Sequence, residues 1–169
     1  MRIRDERSED FDAIDAVLEH AFGGRVESNL VVSLRSGGYA PIALVATVDG
    51  AIVAHIMFCR LKVVRPTGTT DALGLAPLAV DPSFQRHGIG AALVNAGLER
   101  VRNSGESIVF VLGDPAYYHR FGFSAEAAQN FECVYASEAF QVLLVGDEQP
   151  GPMRGSVVYP PPFDALTHE

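Results

Sequence analysis

Basic residues are scarce in this chain of 169 residues: 13 lysines and arginines stand against 21 aspartates and glutamates, for a formal net charge of −8. That balance argues against a nucleic-acid partner, which needs a basic face to replace counterions. An acidic surface either concentrates a cationic substrate by field focusing or simply keeps a protein in solution. No stretch approaches the roughly 20 consecutive apolar residues of a membrane span, so no membrane partner is expected. Met1-Arg2-Ile3-Arg4-Asp5 goes straight into charged residues, which leaves no secretory apolar region. Cysteine is nearly absent. Cys59 and Cys133 lie far apart in apolar surroundings and are expected as buried free thiols, in keeping with a reducing cytoplasm. They and five scattered histidines show none of the zinc spacings, so no metal is expected. The hydrolase elbow G-x-S-x-G is also missing.

What is present fits one domain with a substantial core. Residues 2–4 end a first strand. Ser8 is placed to cap a helix in which Phe11, Ile14, Val17, Leu18, Ala21 and Phe22 recur at a helical period, and Gly23-Gly24 stops it. A second helix, 27–35, carries Leu30, Val31 and Leu34 on one side and ends at Gly37-Gly38. Two strands, 42–48 and 52–64, flank the hairpin signal Asp49-Gly50. A Pro-, Gly- and Thr-rich turn is expected over 65–71, then a buried strand over 72–80. Pro77 interrupts that run, and a proline lacks the N–H for a central ladder unless a bulge accommodates it. Such a bulge exposes backbone groups to a ligand. A long helix over 88–102, a buried strand over 107–112, short strands over 131–135 and 140–145, and a final extended or edge segment at 157–159 complete the chain. An exposed edge in that tail suits pairing with a second copy, a homodimer.

The densest information lies in Val80-Asp81-Pro82-Ser83-Phe84-Gln85-Arg86-His87-Gly88-Ile89-Gly90. It reads as strand end, turn, glycine-bearing loop and helix start. A helix start offers unpaired N–H groups and the positive end of the dipole, so it attracts phosphate. Gly88 and Gly90 lack the Cβ atoms that would hold an anion away. A dinucleotide fingerprint needs a third glycine where Leu93 stands, and a P-loop needs Gly-Lys-Ser/Thr. Both are excluded.

Gln85-x-x-Gly88-x-Gly90, preceded by Leu78-Ala79-Val80-Asp81-Pro82, resembles the pyrophosphate loop of the GNAT N-acetyltransferase superfamily. Gly113-Asp114-Pro115-Ala116-Tyr117-Tyr118-His119-Arg120-Phe121-Gly122-Phe123 likewise resembles the segment after that family's fifth strand. The match runs from Arg2 to about Val145, which makes 1–145 the domain and 146–169 a C-terminal extension packed on it. The resemblance implies an α+β fold: a mixed, mostly antiparallel sheet with helices on both faces. It implies acetyl-CoA as co-substrate and a small-molecule or peptide amine as acceptor, acetylated by direct attack in a ternary complex. Leu78, Ala79, Val80, Gln85, Arg86, His87, Gly88, Ile89 and Gly90 are the expected cofactor-binding residues. Pantetheine would add to the fourth strand, whose amide would polarise the thioester carbonyl.

Tyr118 falls where the family often carries a tyrosine beside the CoA sulfur, and it is the expected acid for the departing thiolate. Tyr117, about 100° away on a helix, is expected to pack. The base is open. A substrate ammonium is only about one part in a thousand neutral at pH 7, and Leu73-Gly74-Leu75-Ala76-Pro77 offers no acid where many relatives carry one. Glu27, His55, Asp114 and His119 remain candidates, as does a water chain. Residues 22–27 and 133–138 would shape the acceptor pocket. A binding module that kept the cofactor groove without turnover is the alternative.

Overall fold

The computed structural model describes residues 1–146 and 152–168. Strands β1 (Arg2–Asp5), β2 (Ile42–Val48), β3 (Ala51–Arg65) and β4 (Gly68–Val80) form an antiparallel run, β5 (Ile108–Leu112) adds in parallel to β4, and β7 (Phe140–Leu144) closes the far side antiparallel to β5. Helices α1 (Phe11–Phe22) and α2 (Val26–Ser36) cover one face, and α3 (Ile89–Asn103) covers the other. The architecture is the mixed α+β sheet expected from the sequence.

Strand alternation builds two cores. Met57, Cys59, Leu61 and Phe110 point toward Ile14, Leu18, Leu30 and Leu34 of the first two helices. Ile56, Phe58, Val109 and Val111 point toward Leu93, Val94 and Leu98 of α3. The buried stripe of α3 includes Gly97, whose missing side chain makes room for the Phe58 ring.

Four local expectations are corrected. The turn expected over 65–71 is a hairpin tip of Pro66 and Thr67 alone. Thr69 and Thr70 pair with Val64 and Val63, and the Lys62 ammonium meets the Asp71 carboxylate across the strands at 2.7 Å, so opposite charge and β-branching extend the ladder. Ser8 caps nothing. The Asp10 carboxylate accepts the Arg7 N–H at 2.8 Å and both Arg4 guanidinium nitrogens at 2.7 and 3.0 Å, closing a 3-10 turn, Ser8–Asp10, ahead of α1. The strand expected over 131–135 stops after β6 (Phe131–Glu132). The last strand, β8 (Gly155–Val158), is not an edge. It pairs with β3 through Lys62, Val63 and Val64 where β2 has left that side, and with β6 on its other flank.

Arg65 ties this tail down, donating to the carbonyls of Pro152 and Arg154 at 2.9 and 2.7 Å. Val157 and Phe163 enter the first core. The expected extension, 146–169, includes residues 147–151 and 169, which lie outside the described residues. Cys59 is buried and Cys133 half-buried, both as free thiols. Among the described residues no helix is long and apolar enough to cross a membrane.

Candidate functional site

The site starts from the irregularity at Pro77. Ile56 pairs with Leu78 and Phe58 with Leu75, so Met57 faces two residues, Ala76 and Pro77: a bulge. Parallel pairing to β5 is confined to Leu73, Gly74 and Leu75. Past the bulge, β4 and β5 part, and Leu78, Ala79 and Val80 have no strand partner on the β5 side. Alternation sends Leu78 and Val80 toward α3 and Ala79 toward α1.

Beyond Val80 the chain is held by its own side chains. The Asp81 carboxylate accepts the Ser83 N–H at 3.0 Å, and this bond, followed by others from His20 and Ser83, holds its carboxyl below the usual range despite opposing desolvation. The Gln85 amide donates to the Val80 carbonyl at 3.0 Å. Arg86 and Gly88 both take positive φ, 65° and 79°, which turns the chain into α3. No side chain caps that helix, and Ala92 N–H to the Gly88 carbonyl at 3.0 Å is an early helical bond. The amides of Ile89, Gly90 and Ala91 therefore precede the ladder.

These groups surround a cavity of about 540 Å³, within the range of small-molecule sites. Of the expected cofactor-binding residues, Leu78, Val80, Gln85, Arg86, Gly88, Ile89 and Gly90 line it. Ala79 and His87 do not. Ala79 faces α1, and His87, exposed, turns its Nδ1 to the Phe84 carbonyl at 3.2 Å.

Phe84, Ala91, Tyr117 and Arg120 complete the wall. Tyr117 corrects an expectation. Its hydroxyl lies 3.1 Å from where a Cβ on Gly90 would stand, so it belongs to the cavity and not to packing alone. The Arg120 guanidinium lies over its ring, 4.6 Å from the centroid, and donates from Nε to the Tyr117 carbonyl at 3.0 Å. Arg86 and Arg120 make no ion pair among the described residues, so this cavity is cationic in an otherwise acidic protein. The only sequence signal for Arg120 was its place three residues after Tyr117, one helical turn on.

Tyr118 lies behind this wall, at the base of a short helix, α4 (Pro115–Tyr118), capped by the Asp114 carboxylate accepting the Ala116 N–H at 2.9 Å. Its ring is edge-on to Tyr117 and Phe123, with centroids 5.0 and 5.8 Å away. Burial, with a smaller contribution from Tyr117, pushes its phenol up to about 12. It is therefore a protonated donor at neutral pH.

The four base candidates separate. Glu27 is half-buried in the first turn of α2, Asp114 is exposed and engaged in capping, and His119 is exposed. His55 is fully buried on β3. Gly74 faces the first core, where a Cβ would lie 3.1 to 3.2 Å from Leu61 and Cys59 side-chain atoms, so a side chain there would require those neighbours to shift. Among the described residues there is no cluster able to hold a metal ion.

Comparison with known proteins places this geometry. Residues 2–125 match the family model described as an acetyltransferase (GNAT) domain. The uncharacterized N-acetyltransferase YhbS of Escherichia coli K12 is 36% identical over 162 residues, covering 94% of this chain and 96% of the relative. A crystal structure of YhbS from Escherichia coli in complex with CoA superposes with a TM-score of 0.88 at 35% identity, over 96% of this chain and 91% of the other. A GNAT family acetyltransferase from Brucella melitensis in complex with acetyl-CoA gives 0.80 at 33% identity, over 96% and 97%.

Proposed function

Because this chain belongs to the GNAT acetyltransferase family, we propose that it moves an acetyl group from acetyl-CoA to an amine by direct attack within a ternary complex. The observation that carries this is the cavity where the unpaired stretch of β4 meets the uncapped start of α3. The fit is good for a diphosphate: the helix-start amides have no side-chain cap, Gly88 has open space where a side chain would be, and Arg86 and Arg120 add positive charge. In this reading the amides over 85–90 hold the pyrophosphate. Backbone groups of Leu78, Ala79 and Val80 pair with pantetheine, and an N–H there polarises the thioester carbonyl as an oxyanion site does.

Tyr118 donates to the departing sulfur. At about 12 its phenol is a weaker acid than an ordinary thiol near 8.5. Its contribution is thus a hydrogen bond to charge developing on sulfur, strongest as the C–S bond breaks. The segments 22–27 and 133–138 border the acceptor, and the acidic balance of the chain favours a cationic one. Two free thiols suit a reducing compartment and support action in the cytoplasm.

The absence of an acid over Leu73-Gly74-Leu75-Ala76-Pro77 of β4 favours a second reading, a CoA-binding module without turnover. One assay separates the two: release of free thiol from acetyl-CoA with pooled polyamines, amino acids and peptide N-termini. Turnover with any pool supports the enzyme. Tight binding of acetyl-CoA without turnover in all of them supports the module.

A further inference from the structure

The face of the sheet opposite the cavity carries a polar cluster that the mechanism above leaves unused. His55, fully buried at the centre of β3, stands across the ladder from Ala79 on β4 and Val45 on β2. Its Nε2 lies 2.8 Å from Glu6 Oε1. Arg35 of α2 donates two bonds to the same carboxylate, Nε to Oε2 at 2.6 Å and a terminal nitrogen to Oε1, the oxygen that also faces His55, at 3.2 Å. Arg35 in turn lies over the Phe11 ring at 3.7 Å. Burial pushes the Glu6 carboxyl upward, but the bonds from His55 and Arg35 outweigh it and hold the group below the usual carboxylate range. An ionised carboxylate only accepts hydrogen bonds, so the proton of a neutral imidazole sits on Nε2. Nδ1 is left as a bare acceptor.

That acceptor has no partner. Nδ1 of His55 and Oδ1 of Asp15 are the two buried side-chain polar atoms without a hydrogen bond among the described residues. Asp15 belongs to α1, which packs across β3 and β4 on this same face. A bare Nδ1 in a fully buried ring calls for a guest that donates to it, since a buried polar atom left bare is costly. The reaction proposed above produces such a guest. An amine enters as an ammonium and must lose a proton, and residues 73–80 of β4 carry no acid.

Resting on that reading, we propose that Glu6 and His55 form a buried dyad that accepts, through an intervening solvent molecule, the proton the amine must lose before it attacks. His55 acts at one remove from the acceptor and is a positioning residue. Glu6 fixes the tautomer, and Arg35 keeps Glu6 charged. One proton passes from R–NH3⁺ to Nδ1. The freed lone pair bonds to the thioester carbon, and the C–S bond breaks with its electron pair leaving on sulfur. The second proton shed by the nitrogen ends on that sulfur, and the imidazolium returns the first to solvent.

The test is a pH series with His55→Gln, whose amide still donates to Glu6 but cannot take up a proton. The expected result is kcat/KM at least tenfold lower at neutral pH, with the deficit shrinking as pH is raised toward 10, where the free amine needs no assistance. The thermal stabilisation by CoA should stay unchanged. A deficit equal at all pH values, or none, overturns the dyad while leaving acetyl transfer intact. Failure of the wild type to turn over any amine overturns both. If His55→Gln does not fold, Glu6→Gln carries the test with the same pH-dependent deficit expected, and a flat deficit or none again overturns the proposal.

Discussion

Gly113 and Tyr118 are packed so closely that a methyl group on the glycine would stand 2.9 Å from Cδ2 of the tyrosine ring. The end of β5 is therefore the floor on which the phenol rests. Any side chain at 113 would drive Tyr118 toward Tyr117 and the cavity wall. The hydroxyl is positioned by packing from four sides, Gly113, Tyr117, Phe121 and Phe123, and not by a hydrogen bond.

This predicts a split between the neighbouring tyrosines. Tyr118→Phe keeps the packing and removes the donor, so kcat should fall at least tenfold with acetyl-CoA affinity nearly unchanged. Tyr117→Ala opens the cavity wall and should act mainly on the KM for acetyl-CoA. Steady-state kinetics with both substrates varied checks it. An unchanged kcat in Tyr118→Phe removes the donor role.

Gly88→Glu places a carboxylate at the helix start, where the diphosphate is proposed to lie. The thermal shift given by CoA, about 2.7 kcal/mol at 100 times Kd in the wild type, should vanish. Gly88→Ala is the control for backbone strain at φ 79°. It should cost about 1–2 kcal/mol and keep the CoA response. A retained response in the glutamate variant would put the diphosphate elsewhere.

Gly97→Ala tests the second core. A Cβ there would fall 2.8 Å from Cζ of Phe58, whose ring is fully buried between α3 and the sheet. Overpacking of this kind costs about 1–3 kcal/mol, and each kcal/mol lowers Tm by about 2–4 °C in a chain of this size. Differential scanning calorimetry measures it, and a Tm equal to that of the wild type would contradict the contact.

Acid should weaken the fold at a defined place. Hydrogen bonds from Arg4 above all hold Asp10 below its ordinary value, and Glu6 is held low by His55 and Arg35 against its burial. For a group lowered in the folded state, the stabilisation is complete above the unfolded pKa, about 3.9 for Asp and 4.3 for Glu. It is lost as pH falls through the folded value. Tm should therefore hold steady down to about pH 5 and drop below it, and Glu6→Gln should flatten part of that drop. Equal slopes in the variant and the wild type would show that Glu6 is not held low.

Much of the frame was readable from short-range chemistry. The helical stripe of α1, the Asp49-Gly50 hairpin and the bulge at Pro77 each depend on neighbours a few residues away. Where the reading erred locally, tertiary partners had overridden composition. The Pro-, Gly- and Thr-rich stretch became ladder because Lys62 and Asp71 face each other across it. Ser8 gives way to a 3-10 turn closed by Asp10, whose carboxylate accepts the Arg7 N–H and is gathered by Arg4. Tyr117 and Arg120 escaped notice as cavity residues because a single turn of helix presents two tyrosines in different directions, and only the packing against Gly90 and Gly113 decides which faces where.

The order of strand, glycine loop and helix, with its unpaired amides and missing side chains, was determined by the sequence alone, because turns, caps and periodicity are settled within a few bonds along the chain. Only the tertiary structure decided that Glu6, Arg35 and His55 meet on one face of the sheet and that β8 lies between β3 and β6. Those contacts join residues 29, 49 and more positions apart. Which of many distant polar groups pair is chosen by the burial of the whole core, which leaves each of them no water to turn to.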